Sequence, residues 1–533
     1  MDSVKRNIDV VNSKFLSGRS NIFVVSTILV FIFIVFRTAW VSDDAYITFR
    51  PIDNWIHGYG LTWNAYERVQ VYTHPLWMLL VSAFYFLTRE MYYTSVFASI
   101  VVSSSAVALF AFGIARTKVL ACLGVFMLAF SRAFVDYSTS GLENPLTHLI
   151  LGLFLFVYFK SEPSFRAMFL LSLIGGLGML NRLDTSLLFM PVILQSVFAL
   201  PRSKTLAAVA FGFLPFLIWE MFSLIYYGFL IPNTAYAKLE VGISRIELIE
   251  QGTYYFWNSL QWDPLTLVAI AASITVCLAM KNKRQRYAAL GVAFYLLYVL
   301  LIGGDFMSGR YFSAPLFVAV IILATSNIEL TIKQTLVAFS AIILLGAISL
   351  HPPILSGAGY GTGEPGRLAG VSVGTFDDHG IADERAYYYK YSGLLNARAG
   401  FEMPTSPLVE KGRLQRLKHK PAVSWSNIGF FGFFAGPEVY VIDRYGISNP
   451  LLARLPINTN STNSLTNTHW RIGHFPRKFP DGYIESLSTG ENRIVDVKTS
   501  ELYDTLELIT RGDIFDQERL KAIWKINSRW LGW

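Results

Sequence analysis

In VSDDAYITFR (41–50), the carboxylates Asp43 and Asp44 follow twenty largely apolar residues, NIFVVSTILVFIFIVFRTAW (21–40), whose one charge is Arg37. Neighbouring residues on a helix do not share a face. One carboxylate could therefore face a site while the other caps the following helix, where negative charge is favourable. Facing a site, it could take a proton from a hydroxyl or ligate a metal. Downstream stand His74 before Pro75, Arg182 and Asp184 in NRLD, Lys238 in NTAYAK and Arg310 in GGDFMSGR. Arg and Lys converging on one point suit a phosphate, Arg by its bidentate fork and Lys as a point charge. Asp305 follows Gly303 and Gly304 and could bind a sugar hydroxyl or orient Arg310; Glu143 and Asn144 in SGLENP could contact a sugar or open a helix at Pro145. Tyr46, Trp55, Trp63, Tyr72 and Trp77 could stack on a sugar ring, although interfacial anchoring is the commoner role of Trp and Tyr near a membrane. The cations have a structural reading too, as snorkelling side chains at a membrane surface.

The elements that must hold these residues are membrane helices. The 533-residue chain is 53% hydrophobic and 15% charged, against about 25% charged in soluble domains. Its long apolar runs all lie within the first 350 residues. Eleven spans are expected, near 22–41, 92–115, 118–133, 144–160, 167–180, 183–200, 206–227, 264–280, 287–303, 311–327 and 334–350, with the first retained rather than cleaved. With the N-terminus inside (Lys5, Arg6, Lys14, Arg19), every internal connector carries Lys or Arg: Arg116 and Lys118, Lys160 and Arg166, Arg202 and Lys204, Lys281 to Arg286, and Lys333. The segment 74–88 is short for a span and is expected to be re-entrant or to lie on the outer surface.

This threading puts residues 1–350 in a transmembrane unit and 351–533 in a soluble extracytoplasmic one. All the motifs fall on the outer side, in loops 42–91, 134–144, 228–263 and 304–310 and at the NRLD end of a span. Ionisable groups at membrane depth are costly and mark function. An outward-facing polar cavity roofed by a soluble domain follows, and acids with cations at that depth point to a lipid-linked phosphate. The soluble part is expected to be α/β, with strands at EVYVID (438–443) and RIVDVKT (493–499) and an amphipathic helix over DIFDQERLKAIWKI (513–526). Acceptor binding is its expected task, with a passive cover as the alternative.

Other chemistries find little support. The two cysteines, Cys122 and Cys277, lie in apolar runs, which excludes a disulfide framework. No HExxH, CxxC pair or EF-hand loop occurs, so no metal is required, although Asp43, Asp44, Asp136 and Glu143 could assemble an oxygen site for a divalent cation in three dimensions. The net charge of +8 is spread over loops, which argues against nucleic acid, and there is no nucleotide-binding glycine motif. A transporter would spread polar residues over both faces, often with inverted repeats, and neither is visible.

Read in order, DDAYITFR, NWIHGYGLTWNAYERVQVYTHPLW, TSGLEN, NRLD, YGFLIPNTAYAK and GGDFMSGR, then NIGFFGFFAGPEVYVIDRYGISNP (427–450) and GHFPR (473–477), resemble the terminal arabinofuranosyltransferases of mycobacterial arabinan, polytopic enzymes of the GT-C class. The resemblance implies a GT-C-like helical membrane fold and a polyprenyl-phosphate donor carrying a pentofuranose. It implies transfer on the outer face of a bacterial cytoplasmic membrane, to a glycan or protein hydroxyl. By position, Asp43 and Asp44 match the acidic pair of the first outer loop, where such enzymes carry their catalytic carboxylate. His74, Arg182, Lys238, Asp305 and Arg310 are then donor phosphate and sugar contacts. Glu143, Asn144, Asp184, Asn233 and Tyr236 complete the candidate substrate-binding set. The chain departs from the Ala- and Arg-rich mycobacterial style in being rich in Ile and Ser, which opens pilin as an acceptor beside arabinan. The alternatives are a GT-C enzyme for another lipid-linked sugar and a lipid-linked-sugar flippase.

Overall fold

Apolar runs punctuated by proline and capping residues dictate a succession of helices. A computed structural model describes residues 21–198, 201–239, 241–280, 282–360, 375–418, 422–458 and 470–528. The basic N-terminal residues Lys5, Arg6, Lys14 and Arg19, and Lys281, lie outside the described residues. The first part runs through α1 (Asn21–Thr38), α2 (Asp43–Ile56), α3 (Pro75–Thr88), α4 (Met91–Ala108), α5 (Lys118–Phe130), α6 (Arg132–Asp136), α7 (Asn144–Lys160), α8 (Phe165–Asn181) and α9 (Ser186–Val197). Then come α10 (Arg202–Gly212), α11 (Leu214–Tyr226), α12 (Asn233–Leu239), α13 (Arg245–Trp262), α14 (Pro264–Ala279), α15 (Lys283–Leu301), α16 (Ser313–Thr325) and α17 (Ile332–Ala347). The remainder holds α18 (Glu384–Ser392), α19 (Pro407–Leu417), β1 (Ala422–Trp425), α20 (Ile428–Ala435), β2 (Tyr440–Asp443), α21 (Tyr483–Thr489), α22 (Val497–Arg511) and α23 (Gln517–Ser528).

Each expected span is occupied by helix, but helix length does not carry the count of eleven. Among the described residues only α1 and the run Met91–Ile114 are long and apolar enough to cross a membrane, or four spans if each of two bent pairs is one. Those pairs are α10 with α11, bent by 49°, and α13 with α14, bent by 107°. Pro215 and Pro264 stand at the first turns of α11 and α14, where a missing N–H is harmless but a helix cannot be continued from the preceding turn. The remaining apolar helices, α3 among them, run 10–17 residues.

Among the described residues after 350, helix outweighs strand, with six α-helices against one short sheet. That sheet is a parallel pair, Ala422 opposite Tyr440 through Trp425 opposite Asp443, joined by α20. EVYVID supplies β2 as expected, and α23 lies within the expected 513–526 helix and two residues beyond. RIVDVKT does not form a strand: Asp496 accepts the Thr499 N–H at 2.9 Å and starts α22 instead, an N-cap that overrides the β-branched residues around it. One hydrophobic core runs from α1 through the apolar helices into α18, α20 and Phe475, crossing residue 350 without a break. A second cluster joins Phe229 to Ile442, Leu452, Leu506 and Ile523.

Candidate active site

The site is built on α2. Ser42 caps this helix by accepting the Ala45 N–H at 3.2 Å, which places Asp43 and Asp44 in its first turn, about 100° apart. Asp43 points at a different helix. Its Oδ1 accepts the Phe430 N–H at 2.7 Å and its Oδ2 the Gly429 N–H at 3.1 Å, so a buried carboxylate caps the N-terminus of α20. Gly429 permits this: a Cβ there would lie 1.8 Å from the Asp43 carbonyl oxygen. Two turns on, Arg50 donates to the carbonyls of Gly432 (2.8 Å), Gly436 (3.1 Å) and Val439 (2.8 Å) at the other end of α20. Thus α2 grips α20 with an anion at one pole of its dipole and a cation at the other. Burial nonetheless lifts the Asp43 pKa to about 7, against the two N–H bonds that lower it. One carboxylate of the pair does cap a helix, but the helix is α20 rather than the one that follows directly.

Asp44 faces a cavity of about 180 Å³. Among the described residues its carboxylate has no hydrogen bond and no ion pair within 4 Å. Burial raises its pKa, opposed by Lys238, Arg310 and Arg471. Lys238 and Arg471 line the same cavity, as do Glu384 and His474. Arg471 donates through Nε to the Gly380 carbonyl (2.6 Å) and sits 4.0 Å from Glu384. Burial pushes Glu384 up to about 8, although Arg471 pulls the other way, so this second carboxylic acid holds its proton at neutral pH. The flanking Asp383 and Arg385 turn toward α6: Arg132 pairs with Asp383 at 2.6 Å and Arg385 with Asp136 at 2.9 Å. That cross-bracing fixes Glu384 on the wall of the cavity it shares with Asp44.

Six of the predicted residues form one network centred on Glu143, which is fully buried. Arg182 reaches Glu143 Oε1 at 2.7 Å, Arg310 reaches its two oxygens at 3.0 and 3.3 Å, and His74 Nδ1 lies 3.3 Å from Oε2. Arg182 also forks onto Asp184 (2.9 and 2.5 Å), and Arg310 lies 3.5 Å from Asp305. Burial alone would raise the Glu143 pKa; Arg310, Arg182 and His74 reverse this and hold it well below the usual carboxylate range. Burial pushes His74 down to about 4, so it is neutral here and is not one of the converging cations. With Thr48 at 2.8 Å on Nε2, a neutral ring donating from Nδ1 to Glu143 satisfies both contacts. The glycines before Asp305 make the turn that aims it: Gly304 has φ +70°, and a Cβ there would fall 2.4 Å from the Tyr255 ring.

Of the predicted residues only Asp43, Asp44 and Lys238 line the cavity itself, and three belong neither to it nor to the Glu143 network. Asn144 donates to Ser313 Oγ at 3.0 Å. Asn233 ties α12 to the segment after β2, donating to the carbonyls of Gly446 and Ile447 and accepting from Arg454. Tyr236 lines a different cavity. The four carboxylates considered for a divalent cation are not gathered: Asp136 pairs with Arg385 and Glu143 with Arg182 and Arg310. Among the described residues no group of three or more His, Cys, Asp or Glu side chains is placed to hold a metal. Glu384, Arg471 and His474 were missed as site residues. GHFPR drew attention to His474 as a motif only, and nothing local in the sequence singles out Glu384 or Arg471.

Two curated proteins share this chain's sequence along most of its length. A terminal β-(1→2)-arabinofuranosyltransferase of Mycobacterium tuberculosis is 27% identical over an alignment covering 84% of this chain and 82% of its own. A protein of the same description from Corynebacterium glutamicum is 25% identical, covering 85% of this chain and 77% of its own. The chain resembles the terminal arabinofuranosyltransferases. No protein-family model matches it. Among solved structures, the archaeal oligosaccharyltransferase AglB of Archaeoglobus fulgidus, in complex with an inhibitory peptide and a dolichol-phosphate, superimposes with a TM-score of 0.48 at 13% identity. That match covers 81% of this chain and 65% of the archaeal one.

Proposed function

We propose that the protein is a membrane glycosyltransferase that moves a sugar, D-arabinofuranose, from a polyprenyl-phosphate donor to an acceptor hydroxyl on the outer face of the cytoplasmic membrane. The observation that carries this is Asp44: a carboxylate with no protein partner among the described residues, in a cavity it shares with Lys238 and Arg471. The acceptor oxygen attacks the anomeric carbon and its proton passes to Asp44. The bond from that carbon to the phosphate oxygen breaks, and the electron pair leaves with the polyprenyl phosphate. Burial makes Asp44 a stronger base than an exposed aspartate. Lys238 and Arg471, backed by Arg310, offset the charge of the departing phosphate. His74, Glu143, Arg182, Asp184 and Asp305 hold Arg310 in place.

Similarity to two arabinofuranosyltransferases supports the choice of sugar. The acceptor is a glycan or protein hydroxyl, arabinan or pilin, bound between α2 and the residues after 350 that roof the cavity. The cations make a divalent metal unnecessary, so transfer is expected to persist in a chelator. The orientation follows the loop charges, with the N-terminus cytoplasmic and residues 351–533 extracytoplasmic. The test is a matrix: purified protein in nanodiscs, synthetic polyprenyl-phosphate-arabinofuranose against the mannose and glucose analogues, and arabinoside against pilin-peptide acceptors, read by mass spectrometry. Arabinose transfer to either acceptor supports the reading. Transfer of another sugar alone, or donor movement across the bilayer without transfer, overturns it.

A further inference from the structure

Tyr236 lies about 200° around α12 from Lys238, on the wall of a second cavity of about 270 Å³. Ile231 from the loop after α11, Leu239 of α12, Leu502 of α22 and Ile526 of α23 give this cavity apolar walls. Among the described residues the one charged side chain lining it is Arg454. Its Nη1 donates to Asn233 Oδ1 (3.0 Å) and the Pro450 carbonyl (2.8 Å), and its guanidinium lies between the rings of Tyr236 (3.9 Å) and Phe229 (4.4 Å). Among the described residues no carboxylate lies within 4 Å of it. Arg454 is half-buried, with its Nη2 buried and without a hydrogen-bond partner among the described residues; a desolvated cation lacking a counter-charge there is costly, and burial pulls its pKa down to about 10. An anion held there would offset that cost, and the aliphatic walls would take a chain attached to it.

The position of the cavity says where such a ligand comes from. α11 exposes Leu217, Ile218 and Met221, an apolar face of the kind that meets lipid, and ends at Tyr226. Arg519 of α23 donates to the Ile225 and Tyr226 carbonyls at that end (2.9 and 3.0 Å), and Asn527 donates to the Gly228 carbonyl (2.9 Å). The cavity wall is therefore fastened to the mouth of a membrane helix. On the same α23, Leu520 and Trp524 are exposed, Trp524 at 77%, as suits an interfacial helix. We propose that this second cavity holds an anionic phospholipid of the outer leaflet, its phosphate on Arg454 and an acyl chain against Ile231, Leu239, Leu502 and Ile526. The site stands independently of which sugar is transferred.

The test uses the full chain in neutral detergent, titrated with phosphatidylglycerol, phosphatidylcholine, glycerol phosphate or polyprenyl phosphate and read by native mass spectrometry. One tightly held phosphatidylglycerol is expected, with affinity roughly tenfold weaker in Arg454→Gln, which removes the charge-assisted contact. Ala235→Phe fills the cavity and leaves Arg454 in place; it should weaken binding comparably, so the test survives if Arg454→Gln folds poorly. Equal binding by wild type and Ala235→Phe, or equal affinity for phosphatidylcholine, would overturn the proposal. So would retention of glycerol phosphate alone, which would make this a simple anion site. Displacement of phosphatidylglycerol by one equivalent of polyprenyl phosphate would overturn it in favour of the donor's own chain.

Discussion

Glu143→Gln is the sharpest perturbation of the buried network. The substitution keeps shape and one acceptor but removes the charge that Arg182, Arg310 and His74 share at 2.7 to 3.3 Å. Arg182 keeps Asp184 and Arg310 keeps Asp305, so neither guanidinium is stranded, yet each loses a buried partner. Breaking one buried pair costs about 3–5 kcal/mol, and the remaining carboxylates put this case at the lower end. An unfolding entropy of about 2 cal/mol/K per residue over 533 residues gives roughly 1.1 kcal/mol/K, so the midpoint should fall by about 3 °C. Melting in detergent followed by tryptophan fluorescence reads this directly. Because the folded pKa of Glu143 lies below its ordinary value, its contribution is present above the ordinary carboxylate pKa and is lost as pH falls below it. The difference between wild type and variant should therefore shrink toward pH 3. A Glu143→Gln melt within 1 °C of wild type at pH 7 would refute the hub.

Further tests probe the cavity walls and the grip on α20. Burial holds Glu384 near pKa 8 against an ordinary 4.5, so its stabilising protonation is complete below about 4.5 and is lost as pH rises through 8. Wild type should lose up to about 4 kcal/mol between pH 5 and 9 from this group, and Glu384→Gln should flatten that slope in pH-dependent melts. Lys238→Met should raise KM for the lipid donor roughly tenfold, with Lys238→Arg restoring part of the loss, in steady-state transfer assays. Arg50→Met strips three carbonyls of their donor and should cost about 2–4 kcal/mol, seen as faster proteolysis around 428–440.

Sequence made the helices and the polar motifs legible because both leave local marks. An apolar run reads as helix whatever surrounds it, and an acid or cation at membrane depth stands out against its neighbours. It also brought His74, Glu143, Arg182, Asp184, Asp305 and Arg310 onto one list, which the fold joins through direct contacts. Partnership was not legible. Both aspartates border the cavity, and what separates them lies nearly 390 residues away: Gly429 and Phe430 tie up Asp43 and leave Asp44 without a partner among the described residues. Glu384 stayed hidden for the same reason: its exposure to the cavity follows from Asp383 and Arg385 being drawn to Arg132 and Asp136. Asn233 and Tyr236 share a motif whose conspicuous residues divide between Lys238 at the cavity and a structural tie at the other face of α12. RIVDVKT failed as a strand because one capping aspartate outweighs β propensity in an exposed segment.

The division of labour between the two aspartates is open to a direct measurement. Wild type, Asp43→Asn and Asp44→Asn would be compared in nanodiscs for transfer from polyprenyl-phosphate-arabinofuranose, with donor binding measured separately. Asp44→Asn should bind donor and lose transfer by roughly 100-fold or more, while Asp43→Asn keeps most of the rate and melts earlier or at a shifted pH. Full transfer by Asp44→Asn, with transfer abolished in a folded Asp43→Asn, would contradict the assignment and move the base to the carboxylate that caps α20.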